Sequence, residues 1–195
     1  EPRFWAWRNF FLRCDQLLKI YNNLPFHPLR QHALKVAEKW MTERMGEGSE
    51  GLAAIFPSML NSMMALKVLG YQDDHPLVQK ADRDFAGLFV DDPEDFRIQP
   101  CLSPVWDTAI TTIALAESGL PGTNEAMQHA AQWLEDREVR FVGDWAQRVS
   151  GIEPSGWAFE HDNKYYPDTD DTMMVLMALR HVPARDKVKR DAQFQ

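Results

Sequence analysis

Asp168, Asp170 and Asp171 place three carboxyl groups within four residues, behind Tyr165-Tyr166-Pro167 and directly before the apolar run Met173-Met174-Val175-Leu176-Met177-Ala178-Leu179. Pro167 suits the start of a helix, and Asp168 can cap the free N–H groups of its first turn. Two readings follow from that spacing. In the first, the acids are a well-capped helix start whose charges suit the positive end of the helix dipole. In the second, crowding and burial keep one carboxyl protonated near neutral pH, because neighbouring carboxylates repel and burial disfavours the charged form. A carboxyl held neutral in this way is a Brønsted acid.

The stretch Asp168-Thr169-Asp170-Asp171-Thr172 resembles the Asp-x-Asp-Asp-Thr motif of class II terpene cyclases, which protonate an alkene. Gln99-Pro100-Cys101-Leu102-Ser103-Pro104-Val105-Trp106-Asp107-Thr108, Gly143-Asp144-Trp145 and Gly156-Trp157-Ala158-Phe159 resemble segments of bacterial squalene–hopene cyclases, in the same order and at matching spacing. The resemblance covers nearly the whole chain and is strongest from Gln99 to Leu179. It implies proton-initiated cyclisation of squalene to a pentacyclic triterpene such as hopene. Asp170 matches the proton donor, and Asp168 and Asp171 match the carboxyls that hydrogen-bond around it. Trp106 and Phe159 match aromatic faces that stabilise carbocations through the ring quadrupole. Ile55 matches a residue that shapes the folded polyene, and Tyr166 stands beside the acids. Ordinary core packing is the competing role for each of these four. Asp107 is either a helix cap or a supporting partner of the site, and Thr172 closes the motif beside the acids.

No cofactor and no metal is implied. Related oxidosqualene cyclases usually carry a Cys-containing acid motif, so Asp-Thr-Asp-Asp points to an unoxidised alkene. In relatives a His further along the chain supports the donor, and no histidine here stands at that place. Another polyprenoid substrate is one alternative. A different one is a non-catalytic helical-repeat module that binds a prenyl chain or a partner. The resemblance also implies a peripheral, monotopic protein on the cytoplasmic side of a bacterial membrane. The chain begins without Met and relatives are much longer, so it looks like an internal fragment. By itself it is expected to be inactive without the remainder of its parent. Inner-helix faces rich in Met59, Leu60, Met63, Met64, Val175 and Leu176 are expected to drive self-association.

Composition sets bounds on these readings. The 195 residues are 45% hydrophobic and 11% aromatic, enough to build a core. A net charge of -8 and a pI near 5.2 exclude a nucleic-acid-binding surface of the usual basic kind. Cys14 and Cys101 make no disulfide framework and suit a reducing compartment.

The elements that must position the acids are helices. Residues 4 to 21 carry apolar residues at three- and four-residue steps (Trp7, Phe10, Phe11, Cys14, Leu17, Leu18, Tyr21), with Phe4, Trp5 and Leu12 widening the surface. Such a face packs in a core, or less often meets a partner or a membrane. Leu24-Pro25-Phe26-His27-Pro28 breaks the pattern twice. Three units then repeat an inner apolar helix, a turn and an outer amphipathic helix. Ile55–Leu69 ends at Gly70 and leads to His75-Pro76-Leu77. Trp106–Leu115 ends at Gly119 and leads to Asn124. Met173–Leu179 leads past Pro183. Ala65-Leu66, Ala114-Leu115 and Ala178-Leu179 hold the same place in each unit. The fold predicted is all-α, made of stacked helix pairs; the resemblance implies parts of two α/α barrels.

Residues 1 to 90 are assigned by resemblance to the inserted barrel, 91–98 to a linker, and 99–195 to the opening of the catalytic barrel. Asp91-Asp92-Pro93-Glu94-Asp95 matches the Asp-Asp-x-x-Asp pattern of magnesium-binding prenyl enzymes, but Pro93 argues against the helix that pattern needs, and a solvated linker is expected. The Gln-x-x-x-Gly-x-Trp repeats of the family are eroded. Glu138 replaces Gln before Gly143-Asp144-Trp145, and Glu43–Glu50 lacks both Gln and Trp.

Overall fold

In a computed structural model, residues 7–46 and 48–193 are described. Phe4 and Trp5, counted above in the first helix, lie outside the described residues, as does Glu47. The fold is helical, and the chain divides into two compact units, residues 1–40 and 41–195.

Helix α1 (Trp7–Asn22) forms where the periodicity predicts it. None of its residues is buried: Trp7 is 76% exposed, and Trp7, Phe10 and Phe11 gather their rings on one another at 5.4–6.0 Å. The expectation of a core face is therefore corrected, because an amphipathic pattern fixes a face without supplying what covers it. The Pro25–Pro28 break separates α1 from α2 (Arg30–Arg44).

The second unit holds the repeat. Helix α3 (Phe56–Val68) has Pro57 in its first turn, and Gly70 at φ +92° takes the chain out of it. Helix α4 (Pro76–Ala86) is capped by His75, whose Nδ1 accepts from Leu77 N–H at 3.2 Å. Helices α5 (Pro104–Glu117) and α6 (Glu125–Glu135) repeat the scheme, with Gly119 at φ +94° and Asn124 accepting from Ala126 N–H at 2.9 Å. Helix α7 (Thr169–Arg180) follows a long irregular segment, and α8 (Lys187–Gln193) closes the described chain.

Met41, Met45, Leu66 and Ala81 form one core. A larger core joins α5, α6 and α7 through Val105, Ala109, Met127, Leu134, Val175 and Leu179, together with Trp157. The Ala-Leu register holds only in part. Leu66 and Leu179 are buried, whereas Leu115 is 40% exposed, because α5 turns Val105, Ala109 and Thr112 inward instead. The patch named for self-association also changes: Met59 and Val175 are buried, and the exposed large apolar residues of α3, α5 and α7 are Met64, Val68, Ile110, Leu115, Met173 and Met177.

Residues 91–98 hold a feature that the sequence reading lacks. Strands β1 (Phe89–Asp92) and β2 (Asp95–Ile98) pair antiparallel, with Asp92 opposite Asp95 and Pro93-Glu94 at the turn. Phe89 packs on Phe85 and Phe96, which ties this largely exposed hairpin to the end of α4. Its acids thus stand on two strands and not on one helical face.

Candidate active site

The start of α7 is built by backbone pairing as much as by capping. Asp168 takes the N-cap position, and its Oδ1 accepts from Asp171 N–H at 2.8 Å. Asp168 N–H in turn donates to the Trp157 carbonyl at 3.0 Å in a short antiparallel bridge. Thr172 locks the two segments together: its hydroxyl donates to the Asp168 carbonyl at 2.5 Å and accepts from Trp157 N–H at 3.0 Å. Trp157 is fully buried and donates from Nε1 to the Leu134 carbonyl at 2.6 Å. Gly156 permits this close approach, since a Cβ there would sit 3.0 Å from the Thr172 hydroxyl and 3.2 Å from Pro167.

The residues before Pro167 are held from the other side. Arg44, buried, donates from Nε to Asp144 Oδ2 at 3.0 Å and pairs a second time through Nη2 and Oδ1. Its guanidinium stands 5.2 Å from the Tyr165 ring centroid, and the Tyr165 hydroxyl donates to the Glu43 carbonyl at 3.1 Å. The eroded segment Glu43–Glu50 therefore still ties distant parts of the chain together, with Arg44 and Asp144 as the link. Burial pushes the Tyr166 phenol above its ordinary value, with Arg44 acting against the shift.

The three acids have different surroundings. Asp168 and Asp170 are exposed, whereas Asp171 is 2% exposed. Burial, then a hydrogen bond to Asp168, then the charges of Asp168, Glu160 and Asp170 push the Asp171 carboxyl up to about 8 from 3.8. This environment favours its protonated form. Asp168 is the cap, as the first reading has it, and the carboxyl that burial and its neighbours push upward is Asp171.

A cavity of about 310 Å³ brings several site residues together: Ile55, Phe159, Tyr166 and Asp168, with Ala53, Glu160 and Asn163. Trp106, half-buried in the first turn of α5, is not among its lining residues. Asp107 is exposed and accepts from the Ser103 hydroxyl at 3.0 Å; Ser103 holds the N-cap position, so the cap alternative for Asp107 falls.

Sequence reasoning missed Glu160 and Asn163, both buried, with Asn163 Nδ2 donating to Glu160 Oε1 at 3.1 Å. Burial, opposed by the backbone and the Asn163 amide and helped by Glu50 and Asp168, raises the Glu160 carboxyl above its ordinary value. The one signal in the sequence was an acid ending the otherwise apolar Trp157-Ala158-Phe159. Trp157, read above only as part of a resembling segment, is the anchor of the site.

Two family models match along the chain: the squalene-hopene cyclase N-terminal domain over residues 1–94 and the squalene-hopene cyclase C-terminal domain over residues 102–195. The chain belongs to the squalene–hopene cyclase family. A probable squalene–hopene cyclase of Sinorhizobium fredii is 39% identical over 188 residues, 93% of this chain and 29% of that protein. The squalene–hopene cyclase of Alicyclobacillus acidocaldarius is 37% identical over 182 residues, covering 92% and 28%. A dammaradiene synthase of Dryopteris crassirhizoma is 36% identical over 171 residues, covering 88% and 25%. The chain thus spans between a quarter and a third of the length of these squalene–hopene cyclase family relatives.

Proposed function

We propose that the whole protein is a class II cyclase that protonates a linear polyprenoid, squalene, and closes it to a pentacyclic triterpene such as hopene. The observation that carries this reading is the acid cluster at the start of α7, where Asp171 lies buried beside Asp168 and Asp170 and its carboxyl is pushed up to about 8. Protonating an isolated alkene requires an undissociated acid within reach of the double bond. In this reading Asp170, exposed on the first turn of α7, is the donor. The neutral Asp171 and the capping Asp168 limit the charge of the cluster, so that the proton stays available on it. Phe159 and Tyr166 offer ring faces to the cations that follow, and Ile55 constrains the folded chain. Trp106 takes a cation-facing role in the whole protein, outside the cavity described here. We also place the whole protein at a membrane surface, supported by the exposed aromatic face of α1.

For the 195-residue chain by itself, prenyl binding without turnover is the second reading, supported by the apolar walls that Ile55, Phe159 and Tyr166 give the cavity. The deciding experiment uses the whole protein. Asp170→Asn is expected to lower turnover by roughly two to four orders of magnitude while the thermal melt is unchanged. Trp106→Ala is expected to release partly cyclised products, as the loss of a cation-stabilising face requires. A folded Asp170→Asn protein that makes the full product at near-parental rate would end the assignment.

A further inference from the structure

Glu160 lies between two spaces. It lines the cavity that holds Asp168, Phe159 and Tyr166, and it also lines a second pocket of about 260 Å³ with Arg137, His161, Asp162 and Lys164. Asn163 borders both spaces as well, and its amide fixes one Glu160 oxygen. The two spaces differ in kind. One is walled by aromatic and aliphatic side chains, the other by charged ones. Glu160 and Asn163 are both 5% exposed, so the boundary between the spaces is a buried polar pair.

Each cyclisation as proposed above leaves the acid cluster one proton short, because the proton given to the alkene stays in the product as a new C–H bond. The proton lost by the final cation need not return to the same carboxyl. Something must recharge the acid from water without flooding the apolar cavity.

We propose that Glu160 is a positioning residue that acts through the acid cluster, passing a proton from the charged pocket to the cluster after each turnover. The carboxylic acid of Glu160 gives its proton to the ionised cluster and becomes a carboxylate. It then takes a proton from hydronium or a buffer acid that reaches the charged pocket, and this replaces the proton that the final cation releases to solvent, so no net proton is consumed. No redox change or further co-reactant is involved. The groups facing Glu160 suit this exchange. Glu50 and Asp168 disfavour its ionised form, while Arg137, His161 and Lys164 around the second pocket, beside Asp136, Glu138 and Asp162, border the space where the replacement proton arrives. Burial raises Glu160 in the same direction, so it carries a proton to give over a wider pH range than an exposed glutamate.

This inference rests on the cyclase reading, and its test separates the two. The whole protein and its variants are mixed rapidly with squalene in detergent, and product is counted per active site. Glu160→Gln is expected to form the first equivalent of product at the parental rate and then to slow in steady state by roughly a hundredfold. Its steady-state rate is also expected to gain a larger solvent deuterium isotope effect. Glu160→Asp, which keeps a carboxyl, is expected to recover part of the steady-state rate. It also carries the test if a melt shows Glu160→Gln unfolded. An unchanged steady-state rate, or an equal loss in the first and later turnovers with the fold intact, overturns the proposal. Asp170→Asn run beside them is expected to lose the first turnover too. If it does not, the cyclase reading of Asp170 fails, whatever Glu160 does.

Discussion

Helices α1 and α7 are both apolar on one side, and their fates differ. Helix α7 buries Asp171, Val175, Ala178 and Leu179, and Thr172 ties its first turn to Trp157. Helix α1 buries nothing, and its aromatic residues touch mainly one another. Each lies in its own compact unit. Periodicity alone rates both as amphipathic. What separates them is how much of each helix is buried within its own unit.

Substitutions that probe this contrast should divide sharply. The largest structural effect is expected from Trp157→Ala, which empties the core beneath α7 and removes the bond to Leu134: about 3–5 kcal/mol, read by denaturant unfolding. A value near zero would show that α7 does not depend on this anchor. Nearly as large is the loss from Glu135→Gln. Arg190 Nε meets Glu135 Oε1 at 2.5 Å, and its Nη1 donates to the Leu179 carbonyl in the last turn of α7 and to the Val182 carbonyl just past it. Leaving this buried guanidinium without its carboxylate should cost about 3 kcal/mol or more. Glu135→Gln as stable as the parent would reduce the pair to a spectator.

Smaller is the pH dependence carried by Asp171. Its native carboxyl titrates near 8, above the 3.8 of the unfolded chain, so the native state binds more protons between those values. Stability from this group is therefore complete below about pH 4 and declines as pH rises towards 8. Asp171→Asn should flatten that decline in a series of thermal melts, each kcal/mol moving the midpoint by roughly 2–4 °C. A slope identical in the variant would remove Asp171 as its source. At the small end stands Phe11→Ser on α1, expected to change stability by less than about 0.5 kcal/mol. The same change should reduce binding to phospholipid vesicles in a flotation assay, and undiminished flotation would count against α1 as the contact.

Much of this architecture was legible from local chemistry. Gly70, Gly119, Asn124, Pro167 and Asp168 mark helix ends because capping depends on residues a few positions apart. The all-α class followed from repeated helix pairs, and Ile55, Phe159, Tyr166 and Asp168 do share one cavity. Other features were hidden because they depend on distant partners. Arg44 and Asp144 lie 100 residues apart, and nothing near either foretells the pair. The burial of Asp171 relative to Asp170 depends on what packs above α7. Glu160 looked like any surface acid until the chain closed around it. The Pro93 turn was read as a stop for a helix, which it is, but the strands on either side are too short and too charged to announce themselves.

The tie between Tyr165 and Glu43 spans 122 positions, and this distance orders events during synthesis. A ribosome adding about 5–20 residues per second makes Glu43 roughly ten seconds before Tyr165 emerges. Until then the cradle around Arg44 has no occupant, and the acids beyond Pro167 do not yet exist. Closing so long a loop is entropically costly and slow compared with forming either helix pair. The segment that carries the acid motif is thus the last of these parts to find its place.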